Sequence, residues 1–191
     1  LDKRIPHAAL VATQVKYLAR ARTKLPSYYE ARCILPPLAF EQASSEACAA
    51  RKSCSGERVL DLTCGLGVDA LYLSKRFREV ITLERDATLA AVAGENFRRL
   101  GATNIRVINS SAEAFLASTR DHFDWIYADP DRRSAEGRKL VRLEDCSPDI
   151  PKLLPELRRI APNLCVKNSP LFDVGETFRL FGPCRTEVVS L

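Results

Sequence analysis

Residues 61–69 read Asp61-Leu-Thr-Cys-Gly65-Leu-Gly67-Val-Asp69, between an apolar run at 58–62 and a helix-forming stretch at 68–76. A strand, a glycine turn and a helix in that order form the opening unit of a wound α/β sheet. Two glycines one residue apart let the backbone turn sharply and leave room where a Cβ would stand. The helix that follows presents free N–H groups to any carboxylate or phosphate nearby.

The alternation continues downstream. Further strands are predicted at 79–84, 105–109, 123–128 and 163–167, with a last one at 187–191. Helices are predicted at 87–100, stopped by Gly101, at 112–118 and at 150–160. Such β-α repetition with right-handed crossovers predicts a doubly wound, mostly parallel sheet covered on both faces. Upstream the texture is helical. Residues 8–22 have helical spacing, Leu25-Pro26 and Leu35-Pro36-Pro37 break the chain, and Ser44-Ser45 caps a helix running to about residue 53. The chain therefore divides into a helical N-terminal region, 1–56, and an α/β domain, 57–191.

Composition narrows the function classes. The chain has 191 residues, 46% hydrophobic and 28% charged, enough for a core without a disulfide or metal staple. No apolar run nears the roughly 20 residues of a membrane span. Seven Cys without a Cys-x-x-Cys, and only two His, exclude a zinc site at the usual spacings. No metal is expected, and the thiols read as free cysteines in a reducing cytoplasm. The formal charge of +5 falls entirely within residues 1–32, where seven basic side chains meet two acidic ones. A basic segment of that kind faces phosphate or is a solvated helix face. Met is absent where about four are expected. The sequence is then an internal fragment, or methionines have been left out of it.

Ligands of open α/β sheets bind beyond the carboxyl ends of the strands. At the end of the second strand stands Glu84, 23 residues after Asp61, where an acid can accept both hydroxyls of a ribose. The fourth strand delivers Asp129-Pro130-Asp131-Arg132-Arg133 to the same edge, and the fifth delivers Lys167 and Ser169. Gly65-x-Gly67-x-x-Ala70 also fits a dinucleotide fingerprint, which makes an NAD(P)-dependent oxidoreductase the alternative. Two features oppose it. A pyrophosphate gains nothing from Asp61, and the acid-proline cluster has no role in hydride transfer. The plain readings are a turn cap for Asp61, a solvated strand end for Glu84, a turn at Asp129-Pro130 and a strand end at Lys167. Cys64 reads as structural.

At these residues the sequence resembles the class I S-adenosylmethionine-dependent methyltransferases, whose glycine loop D-x-x-x-G-x-G is matched by Asp61 through Gly67. The stretch Asn96-Phe-Arg-Arg-Leu-Gly101 is similar to many RNA-directed members. More narrowly, Glu41-Gln-Ala-Ser-Ser-Glu46, Asp61–Asp69, Asp129–Arg133 and Val166-Lys-Asn-Ser-Pro170 resemble a bacterial group. In that group a helical region precedes the catalytic domain and a small THUMP-like domain follows it. The resemblance implies a Rossmann-like methyltransferase fold with S-adenosyl-L-methionine as cofactor.

The resemblance also implies roles. Gly65 and Gly67 pack against the methionine part of the cofactor, Asp61 lies near its ammonium, and Thr63 and Asp69 complete the loop. Glu84 holds the ribose, and Ser111 stands where the family often has an Asp for the adenine amine. Asp129, Pro130 and Asp131 lie beside the transferring methyl, with Arg132, Arg133 and Lys167 toward the substrate. Enzymes that methylate exocyclic amines usually carry Asp/Asn-Pro-Pro-aromatic, and here Asp131-Arg132 replaces the last two positions. Cysteine-dependent pyrimidine methylation needs a Cys beside the strand-four cluster, and the sequence shows none there. RNA is the expected substrate, a base nitrogen the favoured acceptor. A non-catalytic RNA-binding module of the same fold is the second alternative. The methyltransferase sheet normally ends in a hairpin of strands six and seven. A seventh strand, a downstream RNA-binding domain and a start upstream of Leu1 are therefore expected beyond this sequence.

Overall fold

The computed structural model describes residues 7–131, 142–168 and 172–189. Five strands form one sheet: β1 (Gly56–Asp61), β2 (Phe77–Glu84), β3 (Ile105–Asn109), β4 (Trp125–Ala128) and β5 (Asn163–Val166). The order is β3-β2-β1-β4-β5, and every pairing is parallel. The winding direction reverses between β1 and β4, which opens a crevice at their carboxyl ends.

Alternation along the strands divides the core. Val59, Val80 and Tyr127 face one side, with Leu60, Ile81 and Ile126 on the other. Parallel strands are buried on both faces, so helices must cover each. The first face carries α5 (Val68–Leu73) and α6 (Ala87–Arg99) together with the N-terminal helices; the second carries α7 (Ala112–Ser118), α8 (Ile150–Ile160) and a 3₁₀ turn at Leu143–Asp145.

The N-terminal region is built into the sheet's first face. It comprises α1 (Ala8–Lys24), α2 (Pro26–Glu30), α3 (Pro37–Gln42) and α4 (Glu46–Ala49). The prolines read as breaks also start the next helices, Pro26 and Pro37 each standing at N1, where no N–H is needed. Ala21, Leu25, Tyr28, Leu35 and Phe40 share one apolar core with Val59, Val68 and Phe97. Polar bonds reinforce it. Asn96, fully buried on α6, accepts from the backbone N–H of Ile34 at 2.7 Å and donates to its carbonyl at 2.9 Å. The Tyr28 hydroxyl donates to the Leu66 carbonyl within the glycine loop, at 3.2 Å.

Residues 187–189 correct the predicted final strand. They are irregular and exposed, with no ladder partner among the described residues. Alternating apolar residues form a strand only where a sheet edge receives them. Before them lies a helix that the sequence reading lacks, α9 (Val174–Phe181), capped by Asp173. No helix among the described residues is long and apolar enough to cross a membrane.

Candidate functional site

A cavity of about 580 Å³ opens over the carboxyl ends of β1, β2 and β4. A groove of about 750 Å³ also runs along α6 and edge strand β3. That groove is lined by residues of α6 and β3, Ala90, Gly94 and Val107 among them, with none from β1 or β4. The polar groups converge in the first.

The glycine loop supplies its floor. Gly65 has φ +54° with open space where a Cβ would stand, and it lines the cavity. Gly67, at φ +87°, faces the other way, against the Phe97 ring, and N-caps α5. Of the two glycines, one therefore leaves room for a ligand and the other lets the loop close on α6.

Glu84 ties the loop to the end of β2. One carboxylate oxygen accepts from Gly65 N at 2.9 Å, the other from Asp86 N at 2.9 Å. The unshared lone pairs of a carboxylate held on both oxygens remain for a diol. Ser111 lies on the wall too, but its hydroxyl caps α7, accepting from Ala114 N at 3.2 Å. Glu113 and Arg85 join this side of the cavity, and neither carries a motif in the sequence.

Asp61 is fully buried and does not line the cavity. Its Oδ1 accepts from Thr63 N at 3.0 Å and Thr63 Oγ1 at 3.3 Å, its Oδ2 from Thr82 Oγ1 at 2.7 Å. Burial pushes its carboxyl up to about 7, with the three hydrogen bonds opposing. Thr63 passes the link on, its Oγ1 accepting from Asp129 N at 2.8 Å. Asp61 thus braces the loop against β4 rather than facing a ligand.

At the far end of the cavity stand Asp129, Pro130, Asp131 and Lys167. Lys167 Nζ donates to Asp129 Oδ2 at 2.5 Å and to Ser44 Oγ at 2.6 Å. Ser44 Oγ donates to Asp69 Oδ2 at 2.8 Å, and Lys52 holds the other Asp69 oxygen. Burial raises the Asp129 carboxyl above its usual value, against the pull of Lys167. Burial opposes the charge on Lys167 as well, yet Asp129 and Asp69 outweigh it and hold the ammonium above its usual value. Asp69 sits below its usual value because Lys52 and Lys167 together outweigh its burial.

Asp131 forms an antiparallel bridge with Ser147, its N–H donating at 2.8 Å and its carbonyl accepting at 3.1 Å. The bridge brings Ser147 and Pro148 to the rim and places Cys146 next to the strand-four cluster, which the sequence did not show. The Cys146 thiol is buried in the second core, off the cavity wall, and donates to the Arg142 carbonyl at 3.2 Å. Cys64 is on the wall but buried, and burial raises its thiol far above the usual range. Arg132, Arg133 and Ser169 lie outside the described residues. Among the other basic residues of the N-terminal segment, Arg20 pairs with Glu41, Arg22 donates to Tyr29, and Lys24 donates to the carbonyls of Phe40 and Glu41.

Leu38, Ala39 and residues 41–44 form one wall of the cavity, although no role of its own was legible for that segment in the sequence. The doubled serine was the available signal. Ser45 alone caps α4, accepting from Cys48 N at 3.1 Å, which leaves Ser44 to face the strand ends. Lys52 carried no signal.

Residues 59–136 match the family model described as a methyltransferase domain. The fold is the Rossmann-like methyltransferase fold. A crystal structure of a candidate methyltransferase from Porphyromonas gingivalis W83 is 32% identical, with a TM-score of 0.79 over 92% of this chain and 45% of that one. A SAM-dependent methyltransferase from Agrobacterium tumefaciens shares the fold at a TM-score of 0.52 and 21% identity, over 72% of this chain and 46% of that one. Among curated relatives, the 23S rRNA (uracil(1939)-C(5))-methyltransferase RlmD of Stenotrophomonas maltophilia (strain R551-3) is 44% identical over 82 residues, 41% of this chain and 18% of the relative. Ribosomal RNA small subunit methyltransferase J of Coxiella burnetii (strain Dugway 5J108-111) is 31% identical over 129 residues, 60% of this chain and 51% of the relative. The chain thus spans about half or less of the length of these curated relatives. Among the described residues no cluster of His, Cys, Asp or Glu has the makings of a metal site.

Proposed function

We propose that this chain is the catalytic part of an S-adenosyl-L-methionine-dependent RNA methyltransferase, with a base nitrogen as acceptor. The observation that carries the reading is the meeting of the Gly65 turn, the Glu84 carboxylate and Asp129-Pro130 around one cavity at the β1/β4 switch point. The residues present fit the cofactor. Gly65 leaves its Cβ volume empty, Glu84 offers a carboxylate at the strand end for a ribose diol, and Ser111 and Ala112 line the adenine side. When bound, S-adenosylmethionine supplies a methyl group already activated on a sulfonium. What the protein adds is alignment, which accounts for much of the acceleration in a displacement of this kind.

An amine nitrogen that gains a methyl sheds a proton to end neutral, and Asp129 is the acceptor at the right edge of the sheet. A base nitrogen suits this wall better than a pyrimidine carbon. Carbon methylation through a cysteine adduct needs a thiolate in the cavity, and the cysteine on the wall, Cys64, is buried and held as the thiol. RNA as substrate draws support from the two ribosomal relatives and from the basic excess of residues 1–32. The seven free cysteines suit a reducing cytoplasm. The helical region 1–56 and the domain 57–191 act here as one unit, and the likeness to the THUMP-containing bacterial group belongs to the same proposal.

The test is transfer of labelled methyl from S-adenosylmethionine to rRNA and tRNA fragments, followed by nucleoside analysis. Asp129→Ala is expected to abolish transfer while cofactor affinity stays within about threefold. RNA affinity is expected to fall steeply with salt. Labelled methyl appearing only in protein or small molecules would overturn the RNA assignment, and NAD(P)H binding without S-adenosylmethionine binding would overturn the whole reading.

A further inference from the structure

We propose that Ser44 and Lys52, both from the helical N-terminal region, are positioning residues that hold Lys167 on Asp129, and that this region is thereby a working part of the catalytic site. The inference rests on the methyl-transfer reading above.

Five side chains from five separate stretches form one continuous hydrogen-bonded chain. Lys52 donates to Asp69, Ser44 donates to Asp69, and Lys167 donates to both Ser44 and Asp129. Ammonium groups only donate and carboxylates only accept, so a hydroxyl is the one member able to do both. Ser44 accepts from Lys167 and spends its single proton on Asp69. Two ammonium and two carboxylate groups leave the set neutral. Lys52 and Asp69 are the drier pair, with side chains 10% and 11% exposed, against 28% and 24% for Lys167 and Asp129.

The set contains a competition. Lys167 stands between two carboxylates, 2.5 Å from Asp129 and 4.0 Å from Asp69. Lys52 settles it by occupying Asp69, while also lying 5.1 Å over the Tyr127 ring. Without Lys52, Asp69 is a buried carboxylate short of a cation, and a partner must come to it or a proton must. Among the described residues the next cation to Asp69 is Lys167, at 4.0 Å. Moving there, it deserts Asp129, the group assigned to take the acceptor's proton. Ser44 acts on the other side of the balance, fixing the Lys167 ammonium where it reaches Asp129. Among the described residues, the charged and titratable groups that act on Asp129 include Lys167 just after β5, Asp69 from α5, Lys52 from the segment before β1, and Tyr127 from β4.

Ser44→Ala and Lys52→Met test the coupling, with Ser44→Thr and Lys52→Arg as conservative partners. Each is made in the full chain, and three quantities are followed: kcat for methyl transfer to rRNA fragments, calorimetric cofactor affinity, and the pH titration of the Asp129 carboxyl carbon by ¹³C NMR. The disruptive pair is expected to lower kcat by about tenfold or more with cofactor affinity within about threefold. The same pair is expected to move the Asp129 midpoint upward by about half a pH unit or more. Thr and Arg are expected to recover most of both. An unmoved midpoint in both disruptive variants overturns the coupling. So does a parallel fall of kcat and cofactor affinity that Thr and Arg fail to rescue, since that marks a structural role. If the wild type transfers methyl to no acceptor, the functional reading falls, and the Asp129 titration still decides the coupling.

Discussion

The Phe97 ring lies where a Cβ on residue 67 would stand, its Cε1 2.8 Å from that position and its Cζ closer still. A flat ring packed in a buried core has nowhere to retreat. Gly67→Ala also carries the strain of φ +87°. Strain of about 1–2 kcal/mol and overpacking of about 1–3 kcal/mol together predict a loss of roughly 2–5 kcal/mol. Gly65→Ala meets open space and is expected to lose about 1 kcal/mol, from backbone strain alone. Its larger effect is on ligand affinity, because the methyl enters the cavity. Thermal unfolding with cofactor titration separates the two, and equal stability losses would contradict the geometry.

Asn96 joins α6 to the segment before α3 through both backbone groups of Ile34. Asn96→Ala leaves a donor and an acceptor unpaired beside a fully buried position. About 2–4 kcal/mol of stability is expected to go, which lowers Tm by roughly 4–16 °C at this chain length. Urea unfolding checks the size. A change under half a kcal/mol would mean that water reaches Ile34.

Asp61 gives the stability curve a sign. Its folded-state value is about 7, well above that of an exposed Asp. Between about pH 4 and 7 the folded chain keeps a proton that the unfolded chain releases. Stability contributed by this residue therefore falls as pH rises through that window, and the penalty is complete above 7. Asp61→Asn removes the titration while leaving an acceptor for the Thr63 N–H. Relative to wild type, the variant is expected to gain on the order of 2 kcal/mol between pH 5 and pH 8. Parallel wild-type and variant curves from urea unfolding would show that Asp61 does not titrate there.

Glu84 joins two backbone N–H groups from different loops, Gly65 and Asp86. Glu84→Gln keeps an acceptor and loses the charge and one acceptor oxygen; Glu84→Ala loses the tie as well. Cofactor affinity is expected to fall about tenfold in the first, or roughly 1.4 kcal/mol, and further in the second. Calorimetry with S-adenosylmethionine measures both. Unchanged affinity in Glu84→Ala would remove this residue from the cofactor site.

Where the sequence was legible, it was through local chemistry. Strands β2 and β3, helix α7 and helix α8 fall where alternation, caps and glycine stops placed them, within two residues. Ser111, Asp86 and Asp149 each cap a helix as their residue types imply. The final strand failed for the opposite reason, since a strand depends on an edge that receives it and residues 187–189 have none among the described residues. The glycine loop was legible because φ above zero and an absent Cβ are properties of single residues.

The site divides in the same way. The sequence by itself determined which residues stand at the strand ends: the Gly65 turn, Glu84, Asp129-Pro130 and Lys167 all follow from reading where each apolar run stops. Only the tertiary structure decided what those residues do to one another. It turned Asp61 inward onto Thr63 and Thr82, turned Gly67 onto Phe97, and set Lys167 between Asp129 and Ser44 across 123 residues of chain. The physical reason is range. Caps, turns and periodicities act over a few neighbouring residues and leave a trace in the sequence, whereas the pairing of buried charges depends on which elements the packing brings within a few ångströms.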